Sequence, residues 1–450
     1  VGNIILRRWG LRQYGVSDAA VVMAAAFALS AVLGMLRQML IVATFGDGSA
    51  VAAYYAAARL PETIINFVAG GALTTALVPL LLAESTHADQ ERLLNTVSTM
   101  VLSGVALFAL VSQLGVTWFV TMVLLPGSDV ATQQLTITLT RILLLQPVLL
   151  ALVSIVSALL TAQRRFTLIA IAYVSYNLMI IVGILVARWW PTIGVYGPTI
   201  GLVLAAVIKV IIVLIGLHWV EMPLRWRWQP HLPQLHTVLW LAAPTALSVT
   251  VNYAGTIVDT SFASQLGVAT VAAIYSAWLL TDMPARLLGS AIGQSVFPHL
   301  AAAIVARDFP LARQIFGRTT ALAVGLTLPV IGLTWWLGRW GIQIVLERGA
   351  FDAAAGDRVF VIWQWYVLGL PAFVLTELLS RMLNAMRDTR TPLLTNTAQL
   401  SAKWALLMNW GSGAAGLAVP IAHIVTCYAE TVVLAMVVWH RFYRGIDENR

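Results

Sequence analysis

The chain has 450 residues, 60% of them hydrophobic and only 10% charged, with a mean hydropathy of +0.85. A soluble domain carries about 25% charged residues, so a globule with a water-facing surface is excluded and lipid must cover most of the molecule. The net charge of +8 is scattered through connections rather than gathered into a patch, which argues against nucleic acid, and the single cysteine, Cys427, excludes an internal disulfide and a cysteine metal cluster.

In chain order, a short basic lead, "NIILRRWGLRQYG", comes first. No small-residue cleavage site follows the first span, so no cleavable signal is expected. Apolar runs long enough to cross ~30 Å of hydrocarbon then recur to the end of the chain. Twelve helices are expected near 19–45, 51–83, 94–124, 136–162, 166–187, 194–219, 236–262, 270–304, 311–337, 359–386, 392–410 and 414–440. Sixteen arginines fall in the amino-terminal lead, the even-numbered connections and the carboxyl terminus. Only Arg188, Arg339, Arg348 and Arg358 fall on the opposite side. The positive-inside rule therefore puts both termini in the cytoplasm. The connection "VEMPLRWRWQPHLPQLH" after the sixth span reads as an interfacial linker. It divides the chain into a six-helix lobe at 1–219, a linker at 220–235 and a second six-helix lobe at 236–450.

The halves repeat each other. Val51–Pro79 lies against Val271–Pro298, and Leu143–Arg165 lies without a gap against Val367–Thr389. The tripeptide Ala-Leu-Ser recurs at 28–30 and 246–248, so the offset is about 220 residues throughout. Six spans per repeat is an even number, so both repeats enter the membrane in the same direction. Parallel repeats of this kind are related by an axis along the membrane normal, and their substrate path runs between them. The expected fold is an all-α integral membrane carrier, with two parallel six-helix repeats forming a V and working by alternating access.

Charges inside the spans mark where water or a polar cargo is expected, because each central charge costs ~3 kcal/mol on insertion scales. The basic ones are Arg37, Arg59, Arg141, Lys209, Arg286, Arg381 and Lys403; the acidic ones include Glu62, Asp259, Asp282, Glu377 and Glu430. Lys209 is expected to snorkel, and Arg141 and Glu430 to lie near span ends. Glu377 and Arg381, four apart, are expected to neutralise each other as a structural or gating pair. Arg59 and Glu62 share a helix face with Pro61 between them, and Asp282 and Arg286 share one with Pro284 between them. Proline-interrupted spans at matching places in two halves point to a central site. Arg37, Arg59, Glu62, Asn66, Asp282 and Arg286 are therefore the expected cavity residues, with Pro61 and Pro284 shaping the wall. Gly70 and Gly71 add little, since small residues also serve ordinary helix contacts.

No Walker-type phosphate loop, histidine metal spacing or G-x-S-x-G elbow is present. No enzyme activity, metal or cofactor is expected, and the drive should come from an ion gradient, the membrane potential or coupled metabolism.

The chain resembles the MviN/MurJ family of lipid II flippases, in the multidrug/oligosaccharidyl-lipid/polysaccharide exporter superfamily. The resemblance rests on "VLGMLRQMLIVATFG" (32–46), "ARLPETIINFVAGGALTTALVPLLLAE" (58–84), "MPARLLGSAIGQSVFPHLA" (283–301), "LERGAFDA" (346–353) and "LGLPAFVLTELLSRMLNAMRDTRTPL" (368–393). It implies a V-shaped pair of lobes around a cationic cavity in the bacterial inner membrane. It also implies movement of a lipid-linked peptidoglycan precursor from the inner to the outer leaflet, in the service of cell-wall biogenesis and cell shape. A lipid-linked glycan precursor and membrane lipid are then the expected partners, with cell-wall synthesis proteins beside them. The chain departs from the family pattern at Ala31, Ala52, Ile65, Asn66, Gly70, Leu73 and Leu279. Arginines are common in the family at three of these places, 31, 65–66 and 279. Arg37 and Arg59 remain, and Arg286 stands two turns beyond Leu279. The thinned cation set leaves three other readings: a flippase for another polyprenyl-linked glycan, a cation-coupled drug exporter, and a non-transporting paralogue.

Overall fold

In lipid, a helix satisfies its own backbone hydrogen bonds and an open strand cannot. In the computed structural model, the structure describes residues 15–440 apart from 70, 71, 85, 292–295, 297–299, 301, 302, 304, 305, 307, 387 and 411–415. Among the described residues there are helices and turns and no strand. Gly70, Gly71 and the basic amino-terminal lead lie outside them.

The helices are α1 (Val16–Phe45), α2 (Ser49–Ala69), α3 (Ala72–Ala83), α4 (His87–Trp118), α5 (Val130–Leu143), α6 (Gln146–Ala162), α7 (Phe166–Trp189) and α8 (Tyr196–Trp219). They continue as α9 (Pro233–Gln265), α10 (Val268–Arg286), α11 (Phe309–Val345), α12 (Ala353–Leu368), α13 (Leu370–Ala385), α14 (Arg390–Trp410) and α15 (Ala418–Trp439). Two of them run on into π-helical turns, α4 at Phe119–Leu124 and α10 at Leu287–Ala291. Eight of these stretches are long and apolar enough to cross a membrane, and nine if the bent pair α12–α13 is one span.

Local sequence explains the ends and the breaks. Four helices begin on a polar side chain that accepts a free backbone N–H: Thr86 for α4, Asp129 for α5, Asp308 for α11 and Asp352 for α12. The α5–α6 break at Leu144–Leu145 precedes Pro147, and the 44° bend at Gly369 precedes Pro371. A proline lacks the N–H that would continue the ladder, so the helix restarts with proline in its first turn. Pro147 and Pro371 are repeat partners in the gap-free alignment, so the duplication carries the same break in both halves. Inside α5, Thr136 and Thr140 donate to the carbonyls of Thr132 and Thr136 at 2.8 Å each, which keeps these buried hydroxyls satisfied.

The chain divides into two compact units. The first holds 1–124 and 129–253, and the second holds 125–128 and 254–450, so α9 starts in one and finishes in the other. In the first unit α7 and α8 cross closely at glycines, where a Cβ on Gly183 would fall on the carbonyl oxygen of Gly197. Small residues let membrane helices approach to backbone contact. Leu77, Leu81, Leu94, Val97, Leu159 and Leu160 belong to an apolar cluster in that unit. The linker is pinned along α4, since the backbone N–H groups of Arg225 and Arg227 donate to Asn95 Oδ1 and Thr99 Oγ1 at 2.8 Å each. In the second unit, Leu379, Met382 and Leu383 of α13 pack on Leu434 and Val438 of α15.

Candidate functional site

In the first unit, α2 runs unbroken as α-helix through Pro61. Every residue from Val51 to Arg59 is buried. Arg59 is only 7% exposed, and its Nη1 lies 3.7 Å from Glu62 Oε2. Asn66 turns back on its own helix, its Nδ2 donating to Glu62 O at 2.8 Å. One turn before Arg59, Tyr55 Oη accepts from Gln38 Nε2 at 2.8 Å, which ties α2 to α1 beside Arg37. Arg37 itself is half-buried and donates from Nη1 to Asn177 Oδ1 of α7 at 3.1 Å. Asn177 in turn donates to the carbonyl and hydroxyl of Ser30 at 2.9 and 3.0 Å. Asn177 had no signal in the sequence beyond being one polar residue in an apolar run.

In the second unit, Asp282 and Arg286 of α10 form an ion pair at 2.5 Å, with the Arg286 side chain 65% exposed. Pro284 sits between them, and the π-helical turn begins directly after Arg286. π-turns inside helices recur at functional sites. A Cβ on Gly289 in that turn would lie 3.5 Å from the Glu377 side chain, so the turn rests on α13. There Glu377 and Arg381 pair at 2.6 Å, as their spacing requires. Two acid–base pairs thus occupy one neighbourhood on α10 and α13.

Three expectations need correction. Glu430 is not near a span end: it sits at the middle of α15 and is 7% exposed. Lys209 does not need to snorkel, because its Nζ lies 4.4 Å from the Tyr176 ring centre and 5.2 Å from that of Tyr173. A ring face over an ammonium replaces part of the lost hydration. Arg141 lies in the last turn of α5, inside the apolar stretch Val130–Ala162, with Nη2 3.3 Å from Thr117 Oγ1. The "LERGAF" motif also acquires a physical account. Its Glu347 and the following Asp357 both grip Arg339 of α11, at 2.5 and 2.7 Å, closing the α11–α12 connection.

Among the described residues no cluster of three or more His, Cys, Asp or Glu could hold a metal ion. The chemistry available is recognition: guanidinium groups beside carboxylates and amides, on helices that carry a proline in their interior and, for α10, run on into a π-turn. An all-helical, many-span protein with such a set is a membrane carrier. The family model "Lipid II flippase MurJ" matches residues 41–446, and the chain belongs to that family. It is 26% identical over 421 residues to the probable lipid II flippase MurJ of Rhizobium tropici, covering 92% of this chain and 79% of that one. It is 28% identical over 375 residues to the lipid II flippase MurJ of Burkholderia cenocepacia, covering 81% and 72%. Among solved structures, it superposes on a lipid II flippase MurJ in an inward closed conformation with a TM-score of 0.78 at 21% identity, over 93% of this chain and 87% of that one. An inward-facing multidrug MATE transporter gives 0.77 at 15% identity, over 93% and 98%. At these identities the superpositions establish the fold, an all-helical transporter fold common to both groups.

Proposed function

We propose that this chain flips a polyprenyl-pyrophosphate-linked peptidoglycan precursor of the lipid II type from the inner to the outer leaflet of a bacterial cytoplasmic membrane. The observation that carries this reading is Arg59. It is a buried cation beside Pro61, on a helix that lies wholly within the family match. Arg37, Arg59 and Arg286 are the groups offered to the pyrophosphate. A guanidinium carries five donors in a fixed fork, so one that meets a single carboxylate oxygen still has donors for phosphate oxygens. Glu62 and Asp282 hold their arginines until cargo displaces them, Asn66 offers its amide oxygen to the sugar or peptide, and the polyprenyl tail stays in lipid. Glu377 and Arg381 support α13 against the π-turn. The two termini face the cytoplasm, as the arginine distribution requires. The chain acts by transport and breaks no covalent bond in its cargo.

The test is complementation. Cells depleted of their own lipid II flippase should survive on this chain, and charge reversal at Arg37 or Arg59 should abolish rescue with membrane abundance unchanged. Failure of the well-inserted parent chain would overturn the assignment of cargo.

A second reading has its own support. Ile65, Asn66 and Leu279 stand where arginines are common in the family, and Arg59 and Arg286 already face carboxylates. A cationic set this thin also suits a less charged lipid-linked oligosaccharide. Rescue of a different polyprenyl-linked glycan pathway, without rescue of peptidoglycan synthesis, would select it.

A further inference from the structure

Six of the seven cations inside the expected spans end on an oxygen. Arg59, Arg286 and Arg381 meet carboxylates, Arg37 meets an amide and Arg141 a hydroxyl. In the second unit Lys403, buried in the middle of α14, lies 3.0 Å from Asp259 Oδ1 and donates to Gly255 O at 3.0 Å, both on α9. Lys209 is the exception. Among the described residues no hydrogen bond or ion pair engages its ammonium, which meets the rings of Tyr173 and Tyr176. Headgroup water is also out of its reach. Lys209 stands about 15 Å from the end of α8 and about 20 Å from its start at 1.5 Å per residue, well beyond a four-carbon stem.

Arg37 of α1 reaches α7 at Asn177, and Lys209 of α8 reaches it at Tyr173 and Tyr176. Two cations from two helices thus converge on a single turn of α7. Ser30 of α1 closes onto the same turn, its hydroxyl donating to Tyr173 O at 3.3 Å and accepting from Asn177 Nδ2 at 3.0 Å. These three helices bring no acid to the turn. Together they hold one acidic residue, Asp18 in the first turn of α1, about 18 Å along that helix from Ser30. The matching crossing in the second unit is neutralised internally. At the offset of the two Ala-Leu-Ser tripeptides Arg37 is matched by Gly255, and there Lys403 has its carboxylate in Asp259.

Like charges on one helical turn of a lipid-covered bundle repel, and a cation inside a membrane bundle calls for a partner. An anion received between the two removes the repulsion. The rings decide how it is received. A carboxylate would neutralise the lysine and would have to be displaced, as Glu62 and Asp282 must be. Ring faces hold an ammonium in place and leave its charge and its three N–H donors to a ligand.

We propose that Lys209, framed by Tyr173 and Tyr176, is a further cargo-binding residue, which takes phosphate oxygens of the lipid-linked headgroup together with Arg37 on the α1–α7–α8 face. The inference rests on the flippase reading above and adds a contact to it. Arg37 supplies a planar fork and Lys209 a compact point charge, a pair that suits two adjacent phosphates. No covalent bond is made or broken.

The experiment uses the full chain in nanodiscs, with binding measured for undecaprenyl pyrophosphate, inorganic pyrophosphate and the uncharged undecaprenol. Lys209→Met should weaken undecaprenyl pyrophosphate binding at least about tenfold, the size of one charge-assisted hydrogen bond. Lys209→Arg should keep most of that binding. Undecaprenol binding and the melting temperature should be unchanged in both variants. Equal binding of undecaprenyl pyrophosphate by the parent chain and Lys209→Met overturns the proposal and leaves the flippase reading standing. A Lys209→Met chain that melts early and loses undecaprenol to the same degree shows a structural lysine and overturns it too. Lys209-dependent binding of inorganic pyrophosphate, with no affinity for the polyprenyl form, overturns the lipid-linked cargo and leaves an anion site. A parent chain that binds neither pyrophosphate overturns both readings.

Discussion

Arg59 is the residue on which recognition is expected to depend most. It is buried, so Arg59→Ala removes a cation that no neighbouring surface charge can replace from solvent. The expected outcome is loss of complementation, whereas Arg141→Ala, at an exposed position in the last turn of α5, should leave growth intact; equal effects would refute the distinction. Arg59→Lys should rescue poorly, since an ammonium cannot span a carboxylate and a phosphate as a planar fork does. At the membrane surface, Asp129 caps α5 by accepting from the N–H and hydroxyl of Thr132 at 3.0 and 2.6 Å. These bonds favour the carboxylate and hold Asp129 below its ordinary value of 3.8. Because the folded value is depressed, the cap's contribution is complete above 3.8 and is lost as pH falls through the lower folded value. Thermal unfolding in detergent should therefore show an acid-side loss that is smaller in Asp129→Asn than in the parent chain.

Among elements, the α7–α8 crossing and the α9–α14 pair make opposite predictions. Gly183→Ile forces two backbones apart, so it should lower the amount of folded protein, measured by fluorescence-detected gel filtration, whatever the assay of transport. At the buried pair, Lys403→Met alone strands a carboxylate and should cost about 3–5 kcal/mol of stability, most of it recovered in the double variant with Asp259→Asn. Recovery that fails in the double variant would mean that the lysine stem, rather than the pairing, holds the helices. The sequence made the helices legible because lipid imposes one rule on every span: a long apolar run with its backbone satisfied. It made the i,i+3 and i,i+4 pairs legible because helix geometry alone brings Arg59 to Glu62, Asp282 to Arg286 and Glu377 to Arg381. Lys403 and Asp259 were visible only as separate intramembrane charges. Their pairing depends on the packing of α14 against α9, and neither local spacing nor hydropathy encodes that. The break before Pro147 was equally hidden, since an apolar run does not announce where its ladder restarts.

For the whole molecule, the arginine asymmetry predicts that reporters fused to either terminus report the cytoplasm, and a reporter active on the outer side at the carboxyl terminus would overturn the orientation. The duplication places matching proline breaks in both halves but has not preserved the polar crossing of first and fifth helices in the same form. One half carries its cation on the first helix, and the other on the fifth. Neither helix can therefore be traded for its counterpart in isolation. Transplanting the first helix of the front half into the back half would set arginine against lysine, and the reverse graft would leave Asn177 facing a bare glycine. The ancestral duplication has thus become a one-way step: its halves share an outline but no longer accept each other's parts.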